Sequence, residues 1–168
     1  MTSAASPLWP AGKSCCVMVS INLDAESVDL HEARPDNLYG RFSYGRYGTR
    51  IGVWRLLDVL QHHALRSTFF VPGLDAENHA DVIDGIQAQG HESGARGDAF
   101  ENHAKLGDNE RQVLERAHNT LTRVCGIAPA GWRAPFGLLS MKTFDHLTDL
   151  GYLYDSSFQD DDYPYVVQ

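Results

Sequence analysis

Short apolar runs and amphipathic stretches alternate along the chain, and this alternation predicts its secondary structure. Apolar, β-branched runs predict strands at 15–23 and 67–71, and we place further short strands at 91–95, 130–134 and 152–155 between the predicted helices. Apolar positions three or four residues apart predict helices at 51–62, 76–89, 108–125 and 140–150. Because strands and helices take turns, we expect an α/β fold with a parallel sheet or barrel and right-handed crossovers.

Residues 32–50 interrupt this alternation. They contain Gly, Pro and Asn among Arg and Tyr residues, and the stretch is too long for a simple connection between two elements. Long ordered loops are usually functional. We therefore predict a loop on the same side of the sheet as the active site.

Composition and charge narrow the class of protein. The 168 residues, 43% hydrophobic and 21% charged, are typical of one folded domain that spans 1–168, and they argue against disorder, collagen-like repeats and coiled coil. The net charge of −8 and the absence of a basic run argue against a nucleic-acid partner. No run approaches the ~20 apolar residues of a membrane span, and no secretory signal is evident, so we expect a cytoplasmic protein without a membrane partner.

The three cysteines are Cys15, Cys16 and Cys125. Their number is odd and no C-x-x-C pair occurs, which argues against a disulfide framework and against a thiolate zinc site. Free cysteines are often buried. We expect all three to be reduced structural residues.

Polar groups that follow the predicted strands are the candidate site, because the reactive groups of α/β folds gather at the carboxyl ends of the strands. Four blocks meet this condition: NLDAE at 22–26, FFVPG at 69–73, GHESGARGDAFEN at 90–102 and WRAP at 132–135.

These blocks resemble the polysaccharide deacetylase superfamily, also called the NodB homology domain, and especially its peptidoglycan-deacetylase-like, cyclic imide hydrolase and allantoinase-like branch. The similarity includes Trp9-Pro10, Gly12-Lys13, the strand-one block, RIGVWRLLDVL, TFFVPG, GHESGARG, RAP and YDSS, so it covers nearly the whole chain. The resemblance implies a distorted parallel (β/α) barrel of NodB type that cleaves an amide carbon–nitrogen bond, usually with a divalent metal.

The chain departs from the family pattern at the metal site. Where the family has D-x-D, with a general base and then a metal ligand, this chain has Asn22 and Asp24; where it has two ligand histidines, this chain has Arg96 and Phe100. Phe has no donor atom and Arg is permanently cationic, so Asp24 alone would be a weak metal ligand. We expect no cofactor, the alternative being zinc or another divalent metal as in typical members.

One further histidine, His103, lies three residues beyond Phe100. It is either a substitute ligand or, as is commoner for a histidine on an acidic surface, a solvated residue. We interpret the remaining histidines and the run Asp160-Asp161-Asp162 as solvated groups with no part in the reaction.

For a metal-free site we expect the following roles, of which that of Arg133 comes from the resemblance. Asp24 is the expected base or water-orienting group, Asn22 supports the carbonyl oxygen, and Arg133 positions the base or the substrate. Arg96 either pairs with Asp24 and Asp98 in place of the metal's charge or is a surface arginine. The expected substrate-binding residues are Arg96, Glu92, Trp132 and Pro135, and Glu92 has the alternative role of holding its loop by hydrogen bonds.

Two functions are compatible with these residues. The first is a divergent, metal-free hydrolase of non-peptide carbon–nitrogen bonds that acts on a small amide, imide or ureide or on an N-acetyl sugar. The second is a catalytically inactive NodB-like subunit that binds a ligand or an active deacetylase partner. Family members continue beyond YDSS, so we expect a barrel incomplete at its C-terminus, whose open edge a second polypeptide or self-association covers.

Overall fold

The sheet contains five parallel strands in the order β1-β2-β3-β4-β5. The computed structural model describes residues 13, 15–32 and 42–159. The strands are β1 (Val19–Asn22), β2 (Ser67–Val71), β3 (Glu92–Ala95), β4 (Gly131–Trp132) and β5 (Tyr154–Asp155). The sheet curls into part of a barrel with helices, so the predicted α/β class and the incomplete NodB-type barrel are confirmed.

Helices connect the strands. They are α1 (Glu26–Glu32), α2 (Phe42–Tyr47), α3 (Val53–His62), α4 (Gly73–Asn78), α5 (Ala80–Ala88), α6 (Glu110–Cys125) and α7 (Thr143–Asp149). A π-helical turn at Gly48–Gly52 leads into α3, and short 3₁₀ helices lie at His103–Lys105, Gly107–Asn109 and Pro135–Gly137. None of the helices in the described ranges is long and apolar enough to cross a membrane; the cytoplasmic location stays a prediction.

The core lies between the sheet and the apolar faces of the helices. On α3, Leu57 and Leu60 are buried, and on α5, Ile83 and Ile86 are fully buried against Phe69 of β2. Each such side chain contributes about 1.5–3 kcal/mol relative to an exposed position. The spacing of apolar residues predicted that Ile83 and Ile86 face inward, and the structure confirms this. Of the apolar pattern at 51–62 only part faces the core, since Ile51, Trp54 and Leu56 are exposed.

The first strand differs most from its prediction. It begins at Val19 rather than at Cys15, and Val17 and Met18 are 84% and 86% exposed. Within the described part of the chain β1 pairs only with β2, so no neighbouring strand covers its other edge. Cys15 and Cys16 are consequently exposed rather than buried.

Other elements also differ from the sequence-based expectation. The predicted loop at 32–50 contains α2 and part of the π-helical turn, and residues 33–41 lie outside the described residues. The predicted helix at 76–89 is divided at His79, whose φ of −132° is not helical. Helix α6 begins at Glu110, two residues later than predicted, and has no side-chain cap at its first turn. The Trp9-Pro10 pair and the Asp160-Asp161-Asp162 run also lie outside the described residues.

Candidate functional site

The turn after β1 is fixed by a buried carboxylate. Asp75 of α4, 1% exposed, accepts hydrogen bonds from the backbone N–H groups of Ala25 (2.9 Å) and Ser27 (3.0 Å), and from the Ser27 hydroxyl. Burial raises the pKa of Asp75, while the hydrogen bonds from Ser27 and Ala25 oppose that rise. Asp75 thereby holds the backbone on either side of Glu26 and sets the direction in which Asp24 leaves the strand.

Asp24 and Arg96 form an ion pair at the carboxyl ends of β1 and β3. The Arg96 Nε donates to Asp24 Oδ1 at 2.7 Å, and its Nη1 donates to the carbonyl of Ala134 at 3.2 Å. The Arg96 side chain is 8% exposed and that of Asp24 is 20% exposed. The ion pair expected from the sequence is therefore present, and the alternative of a surface arginine is wrong.

The surroundings of this pair set its electrostatics. Burial raises the pKa of Asp24, although the hydrogen bond and the charge of Arg96 oppose that rise. The guanidinium carbon of Arg96 also lies 5.1 Å from the centre of the Phe100 ring, a cation–π distance. We expected Arg96 to pair with Asp98 as well, but Asp98 accepts instead from Arg116 Nε on α6.

Arg133 joins β4 to β1 and to the segment after β5. Its Nη1 donates to Asn22 Oδ1 at 2.9 Å, and its Nη2 donates to the hydroxyls of Ser20 (2.9 Å) and Ser156 (2.6 Å). Its Nε donates to the Ser156 carbonyl at 3.0 Å, and its guanidinium lies 4.1 Å from the ring centre of Phe70. These contacts fix the positions of both the guanidinium and the Asn22 amide.

A pocket of about 370 Å³ lies at this end of the sheet, within the size range of small-molecule sites. The described residues that line it are Asn22, Arg96, Arg133, Ala134, Phe136, Gly137, Ser156, Ser157 and Gln159. Phe136 is 45% exposed, and its ring contacts that of Phe100 with centroids 4.6 Å apart. Both phenylalanines have positive φ, 59° and 63°, a conformation that is costly for bulky residues and is concentrated at functional sites.

Comparison with known proteins agrees with this architecture. The sequence model of the family described as polysaccharide deacetylase matches residues 41–154, which is more than half of the chain. The chain belongs to the polysaccharide deacetylase family. The resemblance inferred from the sequence blocks is thus confirmed.

Several relatives in this family are similar over most of the chain. A peptidoglycan deacetylase from Helicobacter pylori is 30% identical over 93% of this chain and 54% of its own length. The crystal structure of a candidate polysaccharide deacetylase from Mycobacterium smegmatis is 38% identical, with a TM-score of 0.87 over 98% of this chain and 58% of that one. The PuuE allantoinase structure is 28% identical, with a TM-score of 0.75 over 87% of this chain and 54% of that one.

The chain therefore spans about half the length of the curated relatives that it matches.

The donors around Asp24 do not fit the divalent metal that the resemblance implies. No three His, Cys, Asp or Glu side chains among the described residues are grouped so as to hold a metal ion. The nearest charged group to Asp24 is the Arg96 guanidinium, which would repel a divalent cation, and the buried Phe100 has no donor atom. We derive no catalytic step through a metal.

His103 is buried rather than solvated, contrary to our expectation for a histidine on an acidic surface. It is 0% exposed, its ring lies edge-on to Trp132 with centroids 5.1 Å apart, and its Nδ1 lies 3.3 Å from Glu110 Oε1. Burial lowers the pKa of His103, and the nearby Glu110 and Glu101 only partly oppose this. His103 belongs to the packing behind β4.

The structure places the other expected substrate-binding residues away from the pocket. Glu92 lies at the amino end of β3, where its Oε2 accepts from Thr68 Oγ1 (2.6 Å) and Tyr154 Oη (2.8 Å) inside the barrel. This geometry agrees with its alternative role, holding structure by hydrogen bonds. Trp132 is fully buried and Pro135 is buried, so both support the pocket from behind without lining it.

Sequence reasoning missed the neutral oxygen groups of the site. Ser20 precedes the strand-one block, and Ser156 and Ser157 belong to the YDSS block that contributed to the resemblance but was given no role. Asp75 lies two residues beyond the TFFVPG block. The Ser157 hydroxyl accepts from the backbone N–H of Ala134 at 2.8 Å, so the YDSS block fixes the WRAP turn as well as Arg133.

Proposed function

We propose that this chain hydrolyses a non-peptide carbon–nitrogen bond in a small amide, imide or ureide or in an N-acetyl group, and that it does so without a divalent metal. The observation that carries the proposal is the Asp24–Arg96 ion pair at the edge of a pocket that Asn22 and Arg133 also line. This pair provides a carboxylate and a fixed positive charge beside the pocket, the two kinds of group that the proposed hydrolysis needs.

The proposed reaction uses Asp24 as the base. Its Oδ1 is committed to Arg96, whereas its Oδ2 makes no hydrogen bond to any of the described residues. Oδ2 accepts a proton from water as the water oxygen bonds to the carbonyl carbon. The carbon–nitrogen bond then breaks, and the leaving nitrogen takes up the proton that Asp24 Oδ2 received from water, which restores the carboxylate.

Donors on the opposite side stabilise the carbonyl oxygen as negative charge develops on it. Asn22 uses its Oδ1 to accept from Arg133, which leaves its NH₂ group available to donate. Arg96 provides further N–H groups at the pocket wall. Fixed donors of this kind are commonly the largest contribution to acyl-transfer catalysis, and removal of one costs about 10²–10³ in rate.

The raised pKa of Asp24 suits this role. Burial destabilises the carboxylate, and a base with a higher pKa has a stronger tendency to take a proton from water. Arg96 limits the rise, because its positive charge favours the ionised carboxylate. The guanidinium therefore supplies the positive charge that the metal provides in typical family members.

Product release tests this function directly. The 168-residue chain is incubated with chitooligosaccharides, hydantoin and simple N-acetyl amides, with and without a chelator, and release of acid and amine is measured. We expect hydrolysis of one class that the chelator leaves unchanged and that Asp24→Asn lowers by about 10²–10⁴. Asp149→Asn, at a half-exposed surface carboxylate, is the control. Hydrolysis that needs added zinc, or that survives Asp24→Asn, contradicts the proposal.

A second candidate function is an inactive family subunit that binds a ligand or an active deacetylase. The observation that favours it is that Asp24 is not among the described residues that line the pocket, although Arg96 beside it is. A binding subunit would show ligand affinity without product release, and it would raise the activity of a partner that carries an intact D-x-D motif and both ligand histidines.

The open barrel supports the proposal of a further partner. Val17 and Met18 beside the free edge of β1 are strongly exposed, and they line a second cavity of about 600 Å³ with Phe70, Glu92 and Tyr154. Exposed apolar surface of this kind marks an interaction site. We propose that a second polypeptide or a second copy of the chain covers this interior.

A further inference from the structure

The charge of the pocket is opposite to that of the chain. The chain carries a net charge of −8, yet the described residues that line the 370 Å³ pocket include two arginines and no Asp or Glu. A concave site lined by one sign of charge concentrates ligands of the other sign. The charge of the pocket therefore favours an anionic ligand, whereas the net negative charge of the chain does not.

Arg133 makes no ion pair with a carboxylate of the described residues. Asp24 pairs with Arg96, whereas the hydrogen-bond partners of Arg133 are the neutral oxygens of Asn22, Ser20 and Ser156. Burial lowers the pKa of Arg133 and the charge of Arg96 adds to that effect, while the more distant charges of Tyr154, Asp155 and Asp24 oppose it only in part. A partly buried cation of this kind is stabilised when an anion binds.

The two guanidinium groups also have N–H donors left over. Arginine carries five N–H groups in a planar fork. Arg133 uses four of them on its neutral partners, and Arg96 uses two, on Asp24 and Ala134. The remaining donors belong to side chains that line the pocket. Guanidinium N–H groups match the two oxygens of a carboxylate in both charge and geometry.

We propose that this pocket binds a carboxylate, and that the substrate is a small acid whose carboxylate lies close to its hydrolysable amide or ureide, as in an N-acyl or N-carbamoyl amino acid. This inference rests on the proposed function and narrows its substrate class. The carboxylate contacts the free donors of Arg133 and Arg96, while the scissile carbonyl lies toward Asn22 and Asp24. A neutral sugar would leave the charge of Arg133 unbalanced.

A matched pair of probes tests the proposal by calorimetric titration of the 168-residue chain. N-acetylglycine and N-acetylglycinamide have nearly the same shape, but only the first carries a carboxylate. Hydrogen bonds to charged groups are stronger than those to neutral ones, so we expect N-acetylglycine to bind at least about tenfold more tightly.

Asn22→Asp provides the decisive variant. It changes the size of the side chain very little and places a carboxylate at the position that accepts from Arg133 Nη1 at 2.9 Å. The new charge should neutralise Arg133 and remove the preference for N-acetylglycine. Circular dichroism and thermal unfolding establish that the variant is folded. Arg111→Gln, which removes an exposed arginine on α6 outside the pocket, should keep the preference.

Equal affinity for the two probes, failure of N-acetylglycine to bind, or an unchanged preference in folded Asn22→Asp overturns the carboxylate assignment. The assignment and the hydrolase proposal fail separately. Hydrolysis of neutral N-acetyl sugars that N-acetylglycine does not inhibit overturns the carboxylate pocket and leaves the hydrolase. Tight binding of N-acetylglycine without hydrolysis of any substrate supports the pocket and favours the inactive subunit.

Discussion

Arg96 does three things at once in the site. It pairs with Asp24, donates to the Ala134 carbonyl after β4, and lies against the Phe100 ring. The pair connects β1 to β3 and, through Ala134, to β4. Removal of one partner of a buried ion pair is costly because the other charge is left unpaired. Arg96 and Asp24 should therefore be strongly coupled.

A double-mutant cycle measures this coupling. We expect Arg96→Ala to lower the free energy of unfolding by about 3 kcal/mol, the low end for a buried pair, because the Asp24 side chain is 20% exposed. The Arg96→Ala/Asp24→Ala double variant should lose less than the sum of the single losses. The exposed Arg111–Asp149 pair is the control, with a coupling below about 1 kcal/mol. An additive cycle for Arg96 and Asp24 would contradict the described contact.

Restoring the family's ligand pattern provides the converse test. Elemental analysis of the purified wild-type chain should find no stoichiometric zinc, and a chelator should leave its thermal unfolding unchanged. The variant Asn22→Asp/Arg96→His/Phe100→His should bind zinc and gain thermal stability when zinc is added. His tolerates the positive φ of position 100 better than most residues. Stoichiometric zinc in the wild type that is lost on Asp24→Ala would contradict the conclusion that the side chains around Asp24 do not fit a divalent metal.

At the scale of the elements, a buried carboxylate joins α6 to α7. Glu110, 1% exposed, accepts from Thr143 Oγ1 at 2.6 Å and from the Ser140 hydroxyl. The same carboxylate lies beside His103, whose Nδ1 and Nε2 make no well-formed hydrogen bond. The 3₁₀ turn that carries His103 therefore packs against a polar centre that favours the neutral imidazole.

His103 should make stability depend on pH. Because burial holds its pKa below the usual 6.5, the unfolded chain binds this proton more readily than the folded one. The contribution is fully present above pH 6.5 and is lost as pH falls toward the folded-state pKa. Between those pH values, the free energy of unfolding should fall less steeply with falling pH in His103→Gln than in the wild type. The difference in slope should be up to about 1.4 kcal/mol per pH unit. Chemical denaturation at several pH values measures it.

The exposed His63→Gln variant is the control for this experiment, since His63 lies at the end of α3 outside the core. Comparison between variants matters, because burial raises the pKa values of Asp24, Asp75 and Asp98. Protonation of those carboxyl groups as the pH falls favours the folded state, so their effect on stability has the opposite sign to that of His103. It occurs nearer to the pH range in which aspartate ordinarily titrates. An identical pH profile for His103→Gln and the wild type would contradict a neutral buried His103.

At the scale of the whole molecule, no strand among the described residues pairs with the outer edge of β1, and an open cavity lies on the inner face of the sheet. Beside β1, Val17 and Met18 face a cavity that reaches Tyr154 of β5. Burial and the neighbouring Glu92 raise the pKa of Tyr154 to about 12, so its hydroxyl stays protonated and donates to Glu92. The interior thus combines satisfied polar groups with exposed apolar side chains, as expected for a surface that another chain covers.

We expect the chain to associate through this interior over more than about 1,000 Å², the lower range for specific interfaces. Light scattering should give a mass above that of the monomer, and Met18→Glu should shift the equilibrium toward the monomer. Met141→Glu is the matched control, because Met141 is 99% exposed after β4 and does not line the cavity. A monomer that unfolds cooperatively and binds no apolar dye would contradict this expectation.

Local pattern in the sequence was sufficient for the elements and for the family. The run STFFV predicted β2 with its observed bounds, and the spacing of apolar residues predicted the buried face of α5. These features depend on residues close together in the chain, so they can be read without knowing the fold. For Arg96 the sequence left two alternatives, a pair with Asp24 or a surface position, and the structure decided between them.

Only the tertiary structure decided which groups share the pocket. Arg133 contacts Ser20, Asn22 and Ser156, more than twenty positions away in either direction. The sequence motif placed Glu92 near Arg96. The two residues are four positions apart, and a strand rises about 3.3 Å per residue. Glu92 therefore lies at the opposite end of β3. Cys15 and Cys16 are apolar in pattern but exposed, since burial depends on whether a neighbouring strand lies against them, which the local sequence does not specify.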